Sequence, residues 1–371
     1  MSLQSLISDL VRTPSVNPQI APDEGQGEAV IAKFACDWLN AHGVRAWQEE
    51  AAPGRPNAVA EVGADNGPTL VLCAHLDTVG TTGMPDAFEP RFEDGRVYGR
   101  GAYDMKGSAA AIMWAAAELA RQSIQGRVLL ALVADEEYAS LGAADFVKRH
   151  QADACILTEP SEGKLILAHK GFVWAEIVTT GRAAHGSRWD LGVSAISKMA
   201  PIIAAIDQYD REDLHARKHS LVGSASMHAA LIEGGTGLST YAAECKLQIE
   251  RRTLPGETVA AVEHELKQLT KDDASVNCFF HRSPFTVERD APIVSCVREA
   301  ITEVTGQMPT EAGVSYWMDA AIFAEAGIPT VNYGPTGAGA HEPVEWVDLS
   351  SVEICAKVLV NAAQRLCVSR S

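Results

Sequence analysis

Seven side chains in this 371-residue sequence are of types that hold metals or move protons, and each stands at or just beyond an apolar segment. His75 and Asp77 close the run TLVLCAHLD. Asp104 lies in the glycine-flanked stretch GRGAYDMKG, and Glu136 and Glu137 follow VLLALVAD. Glu159 follows ACILT, and His341 lies in GPTGAGAHEP beyond another short apolar segment. In an open parallel sheet, ligand sites form outside the carboxyl ends of the strands, so these residues are expected to face one crevice. So many carboxylates in an apolar-walled crevice would repel one another and resist ionisation. Divalent cations remove that penalty, and a set of imidazoles and carboxylates without a C-x-x-C pair suits zinc or another first-row divalent ion. In H-x-D the two side chains of a strand share a face, so Asp77 is placed to orient the His75 ring. The adjacent Glu136 and Glu137 allow one ligand and one general base beside it.

The elements that must position these residues follow from apolar periodicity. Thr69–Asp77, Val128–Asp135 and Ala154–Thr158 are continuous apolar runs, expected as strands buried on both faces. Leu3–Arg12, Gly27–His42, Gly107–Gln122 and Gly142–His150 have helical spacing, which gives a mostly parallel α/β sheet with crossover helices. From about residue 172 the pattern changes to strand 172–179, helix 193–206, strands 225–232 and 244–251, helix 257–270 and strand 275–281. That β-α-β-β-α-β order is the ferredoxin-like unit. The α/β style then returns, with helices 291–305, 318–326 and 349–365 and a strand at 329–333. The expected organisation is a discontinuous catalytic domain of residues 1–171 and 285–371, with residues 172–284 inserted as a second, α+β domain.

Composition bounds the function class. Lysine and arginine total 31 against 48 aspartate and glutamate, a net charge of −17, which argues against a nucleic-acid partner. No apolar stretch is long enough for a membrane span. The N-terminal MSLQSLISDLVRTPSVNP lacks a basic start, an apolar core and a cleavage site, so the expectation is no secretion signal and a cytoplasmic protein. The eight cysteines are expected as buried free thiols. A thiol hydrolase using Cys73 or Cys155 is disfavoured because apolar surroundings raise a thiol's pKa.

AHLDTV, GRGAYDMKG, ADEE, TEP and AHEP, in that order, resemble the M20 family of metallopeptidases and amidohydrolases, the group of acetylornithine deacetylase, succinyl-diaminopimelate desuccinylase and carboxypeptidase G2. The resemblance runs from Ser5 to about Ala362. It implies a zinc-dependent catalytic domain, a lid domain that makes a homodimer, and two Zn2+ per subunit, with Co2+ or Mn2+ as alternatives. It implies that Asp104 bridges both ions, that His75 and Glu159 complete one site, and that Glu137 and His341 complete the other. Glu136 is then the general base toward a metal-activated water, Asp77 clamps His75, and the Asp104–Met105 bond is cis. In the inserted domain GRAAHGS resembles the lid histidine motif, making His185 the oxyanion donor from the partner subunit. ERRTLPGE resembles the substrate-binding arginine motif, making Arg252 the partner of a substrate carboxylate. The stretch GGTGLSTYAAEC departs from the family's Asn-x-x-Pro-Asp segment, with Ser239 at the asparagine position and Ala242 at the proline. GVSYWMDAAIF carries Tyr316-Trp317-Met318-Asp319 in place of Gly-Thr-Asp-Ala, so Trp317 and Met318 either line the pocket or pack in the core. The implied activity is hydrolysis of the amide of an N-acyl amino acid, as in an acetylornithine deacetylase. A carboxypeptidase or dipeptidase needs the same centre, and a ligand-binding protein without catalysis is the alternative of another class.

Overall fold

The computed structural model describes residues 2–64 and 66–367. Met1 and residues 368–371, the ends of the expected first domain, lie outside them. Two compact units form: residues 1–167, 287–312 and 318–371, and residues 168–286 with 313–317. The sequence reading places the boundaries at 171/172 and 284/285. The structure moves them by a few residues and assigns Gly313–Trp317 to the second unit.

The first unit is built on a nine-stranded sheet whose strands run in the order Arg45–Ala52, Arg55–Gly63, Arg127–Val133, Thr69–His75, Ala154–Leu157, Thr330–Asn332, Leu165–His169 and Phe285–Thr286, with Glu311–Val314 also pairing Leu165–His169. Its centre is parallel: Thr69–His75 pairs in parallel with Arg127–Val133 and with Ala154–Leu157, which pairs in parallel with Thr330–Asn332. The two N-terminal strands add antiparallel pairing on one side, with Arg45–Ala52 at the edge, and Leu165–His169 adds it on the other, where Phe285–Thr286 pairs antiparallel with it in turn. All seven residues of Thr69–His75 are buried, as a strand covered on both faces requires. The alanine-rich helix Gly107–Leu119 is buried almost all round and packs on the C-terminal helix Leu349–Leu366. Asp348 caps that last helix by accepting from the Ser351 N–H. A second, small sheet contains the hairpin strands Gly337–Ala338 and Trp346–Asp348, whose connecting loop carries His341.

The second unit is a four-stranded antiparallel sheet in the order Ser226–Gly234, Glu244–Thr253, Gly171–Thr180 and Ala274–Arg282. In chain order this is 2-3-1-4, read from the other edge as 4-1-3-2, the ferredoxin-like arrangement. Helices Ala195–Tyr209 and Val259–Thr270 contribute to a core with Val173, Ala175, Ile177, Leu247 and Ile249. Ser194 and Thr258 cap them through the Ser197 and Ala261 N–H groups. No helix among the described residues is long and apolar enough to cross a membrane.

Candidate active site

Three parallel strands deliver their ligand-type residues from the same end. His75 is the last residue of its strand and is buried. Glu136 and Glu137 follow Arg127–Val133, and Glu159 follows Ala154–Leu157. Asp104 arrives from the segment before helix Gly107–Leu119, and the Asp104–Met105 peptide bond is cis. His341 adopts a positive φ of 63° in its loop. Two residues earlier Gly339 has φ 82°, and a Cβ there would stand 1.8 Å from the Val344 carbonyl oxygen, so this loop path admits only glycine.

These residues form two groups that share one carboxylate. Asp104 Oδ1 lies 3.0 Å from His75 Nε2, and Glu159 Oε1 lies 3.6 Å from the same nitrogen. Asp104 Oδ2 lies 3.4 Å from His341 Nε2, which is 2.9 Å from Glu137 Oε2. His75, Asp104 and Glu159 therefore make one set of potential metal ligands, and Asp104, Glu137 and His341 make the other. Glu136 belongs to neither set.

Asp77 has a wider role than the sequence suggests. The His75 Nδ1 atom is 3.0 Å from the Asp77 main-chain oxygen and 3.5 Å from its carboxylate. The carboxylate itself accepts from the backbone N–H groups of Glu136 and Glu137, at 3.1 and 3.2 Å, and from Asn17 Nδ2 at 2.8 Å. It thus ties the turn that presents both glutamates to the strand end that presents His75. Behind it, Asn17 also donates to Asp135 Oδ1 at 3.0 Å. Arg55 bridges Asp135 and the buried Glu28.

A second support lies under Asp104. The buried Glu345 accepts from the backbone N–H groups of Gly101, Tyr103 and Asp104 at 2.9, 2.9 and 3.0 Å, and from Arg100 Nη1 at 2.7 Å. Asn17, Arg55, Asp135 and Glu345 were not among the residues singled out from sequence. Asn17, Arg55 and Asp135 work through side chains 27 to 118 residues away, and Glu345 through Arg100 and three backbone N–H groups more than 240 residues away, so no local pattern marks them.

The electrostatics fit a cationic occupant. Burial, and then the neighbouring carboxylates, push Glu136, Glu137 and Glu159 above the usual carboxylate range. The Asp319 charge adds to this for Glu136 and Glu159. Glu159 Oε1 is buried without a hydrogen-bond partner. Hydrogen bonding to Asp104 and Glu137 raises His341 to about 10, and the carboxylates that draw a proton to this ring would draw a metal cation in its place. The two-nitrogen, carboxylate-rich donor set, sharing one aspartate, fits a pair of divalent ions. The cysteines do not compete: all eight are free, and burial pushes Cys73 and Cys155 well above the ordinary thiol range.

In the second unit His185 and Ser239 are both exposed and close in space. His185 forms a bridge with Thr240, and the Gly186 N–H donates to the Ser239 carbonyl at 2.6 Å. The two arginines of ERRTLPGE point to opposite faces, as neighbours on a strand must. Arg251 is fully buried on Glu257 and Glu265, whereas Arg252 lies on the open face with Nε 2.7 Å from Glu250 Oε1. Trp317 Nε1 donates to the Ser283 carbonyl at 3.0 Å, and Met318 is buried.

Residues 71–365 match the model of Peptidase family M20/M25/M40. The chain belongs to that family. It is an M20-type hydrolase. Acetylornithine deacetylase of Vibrio cholerae is 29% identical over 384 residues, covering 99% of each chain. The crystal structure of aminopeptidase PepT from Bacillus cereus has the same fold, with a TM-score of 0.80, 21% identity and 98% of each chain covered. So does an M20-family peptidase of Bacillus subtilis, described as dinuclear metal binding, with a TM-score of 0.74, 16% identity, and 98% of this chain and 97% of that one covered.

Proposed function

We propose that this M20 hydrolase is a two-metal amidohydrolase that cleaves the amide bond of an N-acyl amino acid. The observation that carries the reading is the division of Asp104, whose Oδ1 faces His75 and Glu159 while Oδ2 faces His341 and Glu137. His75, Asp104 and Glu159 would hold one ion, and Asp104, Glu137 and His341 the other, with zinc as the proposed metal and cobalt or manganese compatible with the donors. When bound, such ions supply Lewis acidity toward a carbonyl and lower the pKa of water.

The chain's own residues do the rest. Glu136 stands beside a ligand without being one, and it takes a proton from the attacking water and returns it to the leaving nitrogen. Asp77 keeps Glu136, Glu137 and His75 in register. Arg252 pairs with the substrate carboxylate through its planar guanidinium. His185, from a second copy of the chain, donates to the developing oxyanion, and Ser239 adds a substrate contact beside it. The name of the Vibrio cholerae relative supports deacylation of an amino acid as the reaction class.

A homodimer through the second unit belongs to the same proposal. Ser226–Gly234 is an edge strand, and it exposes Leu231 at 66% and Ile232 at 57%. A long apolar edge is a template for pairing with another copy. Sedimentation equilibrium is expected to return twice the chain mass, and a monomer at micromolar concentration overturns this part.

The activity is tested with N-acetyl, N-succinyl and N-formyl amino acids and with dipeptides, using metal-stripped and zinc-reconstituted protein and reading released amine. Hydrolysis of an N-acyl amino acid is expected, abolished by stripping and restored by zinc. Full activity in the stripped protein, or cleavage of dipeptides alone, overturns the reading.

A further inference from the structure

The open face of the second unit's sheet carries two cross-strand rows. In the first, Phe172 is paired with Arg252 on one side and Arg282 on the other. In the second, Trp174 is paired with Glu250 and Phe280. A register shift between Cys278 and Phe280 brings Phe280, rather than Phe279, opposite Trp174. The three rings form a continuous surface, with centroids 5.3 Å apart for Phe172–Trp174, 5.0 Å for Trp174–Phe280 and 5.9 Å for Phe172–Phe280. Arg252 lies over Phe172 with 5.1 Å to the centroid. Arg282 lies 4.7 Å from the Phe280 centroid and 5.2 Å from that of Trp317.

The acidic group in these rows is already engaged. Glu250 accepts from the Trp174 indole at 3.0 Å and from Arg252 Nε at 2.7 Å. Its effect is to fix the Trp174 ring and the Arg252 guanidinium in place. Trp174 remains 39% exposed, so an aromatic surface is open to a ligand that reaches Arg252.

From this juxtaposition we infer that the substrate is an N-acyl amino acid with an aromatic or large apolar side chain, its carboxylate on Arg252 and its side chain on the Phe172–Trp174–Phe280 floor. The inference rests on the reading of Arg252 as the carboxylate partner. A carboxylate and a side chain leave the same carbon, so a ligand held at Arg252 sets its side chain down within a ring's width of Phe172. Glu250, the acidic group in these two rows, is already held by Arg252 and Trp174, so the floor is shaped for an apolar side chain rather than for an ammonium. Aromatic rings gain from offset or edge contacts with another ring and from burial of apolar area.

Metal-loaded enzyme is assayed with N-acetylphenylalanine, N-acetylleucine, N-acetylalanine and N-acetylornithine. The expected kcat/KM for N-acetylphenylalanine exceeds that for N-acetylornithine by roughly tenfold or more. Trp174→Ala is expected to raise KM for N-acetylphenylalanine roughly tenfold more than for N-acetylalanine with kcat held, and Trp174→Phe to restore most of that difference. A preference for N-acetylornithine, or an equal loss on all four compounds, overturns the inference. Binding is read separately by calorimetric titration of the same compounds into Glu136→Gln enzyme with and without Trp174→Ala. Should the wild type cleave none of them, the amidohydrolase reading falls and the titration decides the floor. Tighter binding of N-acetylphenylalanine that Trp174→Ala weakens sustains it, and equal binding overturns it.

Discussion

Glu136→Gln is expected to lower kcat by roughly 10²–10⁴-fold while leaving the metal content of the protein unchanged. The substitution keeps the size of the side chain and removes its ability to take a proton at neutral pH. Glu136 is outside both ligand sets, so nothing that would hold an ion is lost. Its backbone N–H continues to donate to Asp77, so the turn keeps its place. The neighbouring Glu137→Gln serves as the contrast, because Glu137 lies 2.9 Å from His341 within the second set. That variant should lose metal as well as activity. Metal analysis alongside steady-state kinetics separates the two. If Glu136→Gln sheds metal in parallel with kcat, Glu136 is a ligand and its role as base is wrong.

The second large effect concerns Glu345, which lies beneath the site without belonging to it. Glu345→Ala removes the acceptor for three backbone N–H groups and the counter-charge of Arg100, all in one buried place. Removing one partner of a buried ion pair costs about 3–5 kcal/mol, because the other charge remains desolvated. The variant should therefore melt many degrees lower. It should also bind metal more weakly at both positions, since the Asp104 N–H donates to the same carboxylate. Glu345→Gln, which keeps one acceptor oxygen, should fall between the wild type and the alanine variant. Thermal melts and metal titration of the three proteins test this. An unchanged Tm in Glu345→Ala would show that water or Arg100 itself compensates.

The parts of this architecture legible in the sequence are those in which local pattern and burial coincide. Leu70–Ala74 is apolar without interruption and is fully buried, so its strand could be read directly. The alternation of Phe172–Thr179 likewise matches a strand buried on one face. The two N-terminal strands of the sheet are not marked by apolar periodicity. Arg45–Ala52 reads RAWQEEAA, half-buried to exposed and without a clean period, and its existence depends on pairing with Arg55–Gly63. The convergence of His75, Asp104, Glu137, Glu159 and His341 was legible because each sits at or just beyond a strand end or in a glycine-rich loop. Asn17, Asp135, Arg55 and Glu345 were not, because side-chain pairs made across the fold, and in Glu345 the acceptance of distant backbone N–H groups, leave no spacing signature. Trp174 and Phe280 become neighbours only through the register between two strands separated by about a hundred residues of chain.

Because the three parallel strands Thr69–His75, Arg127–Val133 and Ala154–Leu157 all release their ligand-type residues at one end, their other ends carry a different kind of freedom. The connections entering those strands, residues 120–126 and 150–153, meet the sheet a full strand length away from Asp104. Loops remote from a site tolerate changes in length far better than the elements they join. Chain length in these two connections is thus decoupled from the spacing of the ligands. The exposed residues 121–123 are where the scaffold can accept a grafted peptide, a tag or an evolutionary insertion while the reacting groups keep their separation, whereas Gly126 and Asp153 are tied by hydrogen bonds to Cys367 and Thr69.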